Sequence, residues 1–139
     1  MPFEAASPCP CGRGEAYARC CGPIHEGVAA PTAERLMRSR YSAFALGLAA
    51  YLLESWDVST RPASLEPDPD LVWRRLLVES TSAGGPFDRE GWVTFTAIAR
   101  GPSGRMMQRE RSRFVRVPAS AGGDDRWRYV DGEELEPRL

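Results

Sequence analysis

All four cysteines of this chain lie between positions 9 and 21, as Cys9, Cys11, Cys20 and Cys21, and none follows them. As disulfides they would staple one small loop and leave the rest of the chain without a cross-link. A bond between the adjacent Cys20 and Cys21 would also be strained, and redox pairing there is the minor reading. Two close pairs joined by a short turn instead match the four tetrahedral ligands that zinc takes at about 2.3 Å. Gly12 and Gly14 free the backbone to turn after the first pair, and residues 15–19 suffice for one helical turn that carries the second pair back. Four protein ligands leave no open coordination position, so the predicted site is structural, with one metal ion per chain. Zinc is the expected ion, and iron stays open because four thiolates suit both. His25, the only histidine, follows Cys21 by four residues and is an alternative to it as the fourth ligand.

Within residues 1–29 the large apolar side chains are Phe3, Tyr17, Ile24 and Val28, interrupted by Pro and Gly. Such a segment builds no core of its own, so metal or docking must hold it. Loss of the metal is expected to unfold this segment alone. At 139 residues the whole chain has room for one cored domain with a small module attached, not for two full domains.

From Thr32 the pattern becomes helical. Thr32 suits an N-cap, and Met37, Tyr41, Phe44 and Leu48 recur at intervals of four, three and four. Gly47 interrupts the run, a second helical stretch covers 48–56, and the proline-rich loop 59–70 excludes regular structure. Beyond it the periodicity falls toward two, predicting strands at 73–81, 91–100, 105–117 and 126–131 with hairpin-length connections. Two helices followed by a four-stranded antiparallel meander define an α+β fold in which one sheet face covers the helices.

Charge narrows the function classes. Eighteen basic and nineteen acidic residues give a net charge of -1, so no global attraction to nucleic acid or anionic membrane is expected. Every basic residue is arginine, a compositional bias more than a binding signal. The longest apolar stretch, 44–53, is about half of what a membrane span requires, and the start of the chain does not read as a secretory signal. A cytoplasmic protein is expected.

The stretch 9–22, with Tyr17 between the cysteine pairs, resembles the SEC-C motif, the metal-binding tail of the SecA translocase ATPase, although Arg13 stands where that motif usually has Ser. Downstream, Ala33-Glu-Arg-Leu-Met-Arg-Ser-Arg-Tyr-Ser-Ala-Phe, Tyr51-Leu-Leu-Glu-Ser-Trp, Glu110-Arg-Ser-Arg-Phe and Trp127-Arg-Tyr-Val-Asp-Gly resemble the YchJ family of bacterial SEC-C proteins. The resemblance implies a SEC-C zinc module at 1–29 and a nuclear-transport-factor-2-like cone at 31–139. It further implies a protein partner in the protein synthesis, export or chaperone machinery. The chain itself puts Arg13, Glu15, Tyr17 and Arg19 on or near the metal turn, with Tyr17 expected to pack on the loop and Arg13 and Arg19 to contact an acidic or carbonyl-rich surface.

The cone carries its own candidates. At 100° per residue Arg40 falls inside the apolar arc of the first helix, while Arg35 and Arg38 point away. On the third strand Glu110, Ser112 and Phe114 share one face. An Arg40–Glu110 pair inside the cone is therefore predicted, either fixing helix against sheet or binding a small ligand. Cone folds also host dehydratases and isomerases with acid–base pairs, and Glu79, Glu110 and Asp57 are conceivable bases, yet their spacing singles out no catalytic pair. Trp56, Trp73, Trp92 and Trp127 read as core or pocket wall. Arg105, Arg109, Arg111 and Arg113 share the outer face of the third strand and, with Arg116, form a basic strip that could follow RNA phosphates, though that strand face carries no stacking aromatics. A non-enzymatic zinc-binding protein that docks on another protein is the preferred reading, with the cone as scaffold or small-ligand pocket. A cone-class enzyme and an RNA binder are the alternatives.

Overall fold

A computed structural model describes residues 5–118 and 125–137. Its regular elements are a 3-10 turn at Tyr17–Arg19, helices α1 (Cys21–His25), α2 (Ala33–Leu46) and α3 (Ala49–Glu54), and strands β1 (Val72–Ala83), β2 (Glu90–Gly101), β3 (Gly104–Val117) and β4 (Arg126–Leu135). The four strands form one antiparallel sheet in the order β1-β2-β3-β4, the meander that the hairpin-length connections predict. Residues 119–124, between β3 and β4, and Phe3 lie outside the described residues.

Capping chemistry sets α2 as its sequence implies. Thr32 is extended and its side chain accepts from the Arg35 amide at 3.1 Å, while Gly47 ends the helix at φ 73°. The helix starts against the β1–β2 hairpin, where the Ala33 amide donates to the Gly84 carbonyl at 2.9 Å. At the other end, the Tyr129 amide donates to the Ser55 carbonyl and the Asp57 amide to the Tyr129 carbonyl, tying the end of α3 to β4. β4 runs four residues beyond the predicted 131, because Gly132, Glu133, Glu134 and Leu135 stay paired with β3 despite their polar exposure.

The core is continuous from the sheet to the cysteines. Phe114, Trp127, Leu76 and Val93 from the sheet and Met37 and Tyr41 from α2 belong to the same buried cluster as Cys9, Cys11, Cys20 and Cys21. The N-terminal segment is thus docked on the cone. Helix α2 lies between the two, and its residues Ser39, Ser42 and Ala43 are all fully buried. Small side chains at spacings of three and four let the N-terminal segment approach α2 closely. Among the described residues no helix is long and apolar enough to cross a membrane.

Candidate metal centre and cone cavity

Each half of the cysteine turn is shaped by its own backbone bonds. The Cys9 amide donates to the Glu15 carbonyl and the Gly12 amide to the Cys9 carbonyl, while Gly12 and Gly14 adopt φ of 77° and 93°, the left-handed region that glycine enters at little cost. The predicted helical turn is present as the 3-10 turn, and α1 follows it directly. Gly22 gives Tyr17 its seat, because a Cβ there would stand 2.7 Å from the Tyr17 carbonyl oxygen and 3.2 Å from its ring.

All four sulfurs are buried and lie within 4.8 Å of one another. Cys11 and Cys20 Sγ are 3.5 Å apart and Cys20 and Cys21 Sγ 4.0 Å. Four thiolates at about 2.3 Å around a tetrahedral ion would stand about 3.8 Å apart, so the cluster has the size that zinc requires. Its surroundings suit an anionic centre. Arg13 Nε donates to Cys20 Sγ at 3.5 Å, Ser42 Oγ donates to Cys21 Sγ at 3.3 Å, and Ser42 Oγ also lies 3.5 Å from Cys9 Sγ. Arg38 donates to the Cys11 carbonyl at 2.8 Å and Arg35 to the Cys20 carbonyl at 3.4 Å. Arg35 and Arg38 thus point away from the sheet, as the helical wheel predicts, and toward the metal turn. These residues can hold a metal ion and leave no open position for chemistry on it.

His25 has other partners. Its Nε2 donates to the Ser39 carbonyl at 2.8 Å, which leaves Nδ1 to accept from the Tyr17 hydroxyl at 2.6 Å. Burial lowers its pKa, in keeping with a neutral ring. The ring also packs edge-on against Tyr51, whose hydroxyl lies 2.6 Å from Ser39 Oγ. The histidine therefore buttresses the turn against α2 and α3, and all four candidate ligand atoms come from cysteine.

On the opposite side of α2 the cone holds a cavity of about 200 Å³, walled by Phe44, Trp56, Trp73, Phe95, Phe114 and Tyr129. Arg40 and Glu110 both face it. They form no ion pair, which corrects the predicted contact. Arg40 Nη1 instead donates to the Leu52 carbonyl at 2.8 Å and to Ser55 Oγ at 2.6 Å, and the guanidinium lies over Tyr129 and Trp56 at 4.6 and 5.2 Å from their ring centres. Glu110 accepts from Ser112 Oγ and from Gln108 Nε2. The helical wheel and strand parity placed both side chains on the right faces, but neither shows that the Leu52 carbonyl and the Ser55 hydroxyl at the end of α3 reach Arg40 first. Burial pulls the Arg40 pKa down to about 10, so it stays charged at neutral pH, and burial pushes the Glu110 carboxyl up, partly offset by the Ser112 hydrogen bond.

A measurable consequence follows from that separation. Arg40→Met should cost about 1–2 kcal/mol through its lost hydrogen bonds and ring contacts. A double-mutant cycle with Glu110→Gln should return about 1 kcal/mol of coupling or less, where a broken buried ion pair would strand a charge at about 3–5 kcal/mol. Urea denaturation of the four proteins measures it, and a coupling above about 2 kcal/mol would restore the direct pair.

The outer face of β3 also has partners. Arg109 Nε lies 2.9 Å from Glu79, Arg113 reaches Glu90 at 2.7 Å and Asp131 at 3.7 Å, and Arg111 lies over the Trp92 ring at 5.3 Å. The neighbouring strand thus supplies an aromatic that the outer face of β3 itself lacks. Carboxylates balance two of the four arginines of that face.

A cluster of four cysteine sulfurs closed over a turn and seated on a helix-and-meander cone defines a class, a SEC-C motif joined to a nuclear-transport-factor-2-like domain. Family models match both parts, SEC-C motif over residues 7–23 and "YchJ, middle NTF2-like domain" over 32–132. This chain belongs to the YchJ family, whose curated members carry the name UPF0225. A UPF0225 protein of Streptomyces coelicolor is 52% identical over 130 residues, covering 93% of this chain and 97% of that one. Another, from Corynebacterium efficiens, is 45% identical over 137 residues, covering 98% and 100%. Among solved structures, the crystal structure of a SEC-C motif containing protein from Psychrobacter arcticus superposes with a TM-score of 0.78 at 26% identity, covering 97% of this chain and 86% of that one. The solution structure of a SEC-C motif containing protein from Rhodopseudomonas palustris gives 0.75 at 31% identity, covering 94% and 100%.

Proposed function

We propose that this chain binds one zinc ion through Cys9, Cys11, Cys20 and Cys21, and that the stiffened turn docks on a protein partner while the cone acts as its scaffold. The observation that carries this reading is the set of four buried sulfurs within 4.8 Å of one another. A closed site of this kind does no chemistry, but it holds a loop rigid, and rigid presentation lowers the entropy cost of docking. Arg13, Glu15, Ala18 and Arg19 form the exposed rim of the turn. Tyr17 is turned inward to His25, and Arg13 is committed to Cys20 Sγ, so Glu15 and Arg19 are the side chains free to specify a partner. The SEC-C relationship favours a partner in protein synthesis, export or the chaperone machinery.

Two measurements test the proposal. Metal analysis of the purified protein should return one zinc per chain, lost in Cys9→Ser and Cys20→Ser and kept in His25→Ala; iron in its place would change the ion, and full metal content in both cysteine variants would refute the site. Affinity capture from cell lysate should retain a specific protein, released by chelation or by Glu15→Arg with Arg19→Glu. Arg13 is left in place because its loss would disturb the sulfurs themselves. Capture that survives both treatments would move the docking surface to the cone.

A further inference from the structure

Arg40 retains only 6% of its surface, yet half of its guanidinium has no hydrogen-bond partner among the described residues. Its Nη1 is occupied by the Leu52 carbonyl and Ser55 Oγ, while no acceptor among the described residues meets Nε or Nη2. These two nitrogens are not sealed in, since the buried unpartnered side-chain atoms among the described residues are Arg35 Nε and Trp127 Nε1. The free edge therefore opens on the cavity that Arg40 lines. The Nε–Nη2 edge of an arginine is shaped to receive a carboxylate through two parallel hydrogen bonds.

Glu110 faces the same space and is built to stay apart from Arg40. It is anchored by Ser112 and Gln108, and its side chain occupies room that exists only because residue 132 is glycine; any Cβ there would overlap the Glu110 carboxyl group. Opposite charges thus face one apolar cavity without neutralising each other. A simple anion would gain Arg40 and be repelled by Glu110, and a simple cation would meet the reverse. Aromatic rings supply most of the remaining walls, and a cavity of about 200 Å³ limits the occupant to roughly the size of one amino acid.

We infer that the cone cavity is a binding site for a small zwitterion with an apolar body, an α-amino acid with a large apolar side chain, whose carboxylate pairs with the free edge of Arg40 while its ammonium faces Glu110. The site is independent of the metal-docking reading. No covalent step is involved.

Calorimetry and intrinsic fluorescence test it on the full chain, because Trp56 and Trp73 line the cavity. The probes are L-phenylalanine and L-leucine, with 3-phenylpropionate and 2-phenylethylamine as the single-charge forms. At least one amino acid should bind saturably, and each single-charge form should bind about tenfold more weakly than L-phenylalanine or worse. Glu110→Gln should narrow the gap between 3-phenylpropionate and L-phenylalanine by removing the repulsion, a change that loss of packing alone would not produce. Ala97→Leu, which grows from the sheet floor into the cavity, should abolish binding without touching either charge. Absence of saturable binding by both amino acids, equal affinity for 3-phenylpropionate and L-phenylalanine in the unmodified protein, or binding unchanged in Ala97→Leu would overturn the inference. Should Ala97→Leu fail to fold, the Glu110→Gln comparison decides alone.

Discussion

Chelation of the metal, or Cys20→Ser, is expected to lower the melting temperature of the whole chain by about 10 °C or more, in place of the confined unfolding of residues 1–29 that the sequence alone predicts. The cysteines belong to the same buried cluster as Met37, Tyr41, Phe114 and Trp127, so no seam separates a module from a core. Among the described residues five bonds join helix α2 to the N-terminal segment: Ser42 to Cys21 Sγ and to Cys9 Sγ, Arg38 to the Cys11 carbonyl, Arg35 to the Cys20 carbonyl, and His25 to the Ser39 carbonyl. A structural zinc site contributes about 10–16 kcal/mol in isolated finger peptides, and a fraction near 3 kcal/mol felt by the cone corresponds to the stated shift for a domain of this size. Scanning calorimetry with and without chelator measures it. One cooperative transition moving down is the expected outcome, whereas an unchanged main transition beside a small early one would show that the cone stands alone.

The reason for that revision lies in what a sequence pattern can express. Periodicity found α2, the four strands and their order, because one face of each element meets one apolar surface and the spacing records it. Helix α2 is buried on a second face, however, and there the contact is made by Ser39, Ser42 and Ala43. Small polar residues at helical spacing also describe an ordinary solvated face, so hydrophobicity could not reveal the docking. The stripe of small side chains beside Arg35 and Arg38 was the available signal. The same limit explains Arg40. Its place in the apolar arc was legible, but its acceptors lie at the end of another helix: the Leu52 carbonyl, which leaves no mark on residue identity, and Ser55 Oγ, which no spacing links to position 40. Cysteine spacing, by contrast, carried nearly all the information about the metal turn, because ligand type, pair separation and the intervening glycines are themselves the geometry. His25 fell between these cases. Its distance from Cys21 allowed ligation, and only the partners on both ring nitrogens remove it from the sulfur cluster.

How α2 is held at its start determines both sites it serves, and Gly91→Ala should show this with an expected loss of about 3 kcal/mol. Three segments converge there. The Gly84 amide donates to the Glu90 carbonyl at 3.1 Å, the Gly84 carbonyl accepts from the Ala33 amide at 2.9 Å, and Gly84 itself has φ 80°. A Cβ on Gly91 would overlap the Gly84 Cα, stand 2.7 Å from the Gly84 nitrogen and lie 3.3 Å from the Ala33 Cβ. The obstruction is backbone, which cannot rotate away as a side chain tip would, so the hairpin and the first turn of α2 must separate. That movement breaks the bond that satisfies the first amide of α2 and shifts the helix carrying Ser42 to the sulfurs and Arg40 to the cavity. Gly85→Ala is the matched control, since its Cβ would meet only the Asp88 carboxylate at 3.3 Å; it should stay within about 0.5 kcal/mol of the unmodified protein. Denaturation of the two variants, followed by chelator competition for the metal, reads both effects. The expected result is a Gly91→Ala protein that melts earlier and also gives up its metal more readily than Gly85→Ala. Metal retention equal in both, despite the lost stability, would mean that the cysteine turn keeps its seat on α2 when the helix start is displaced.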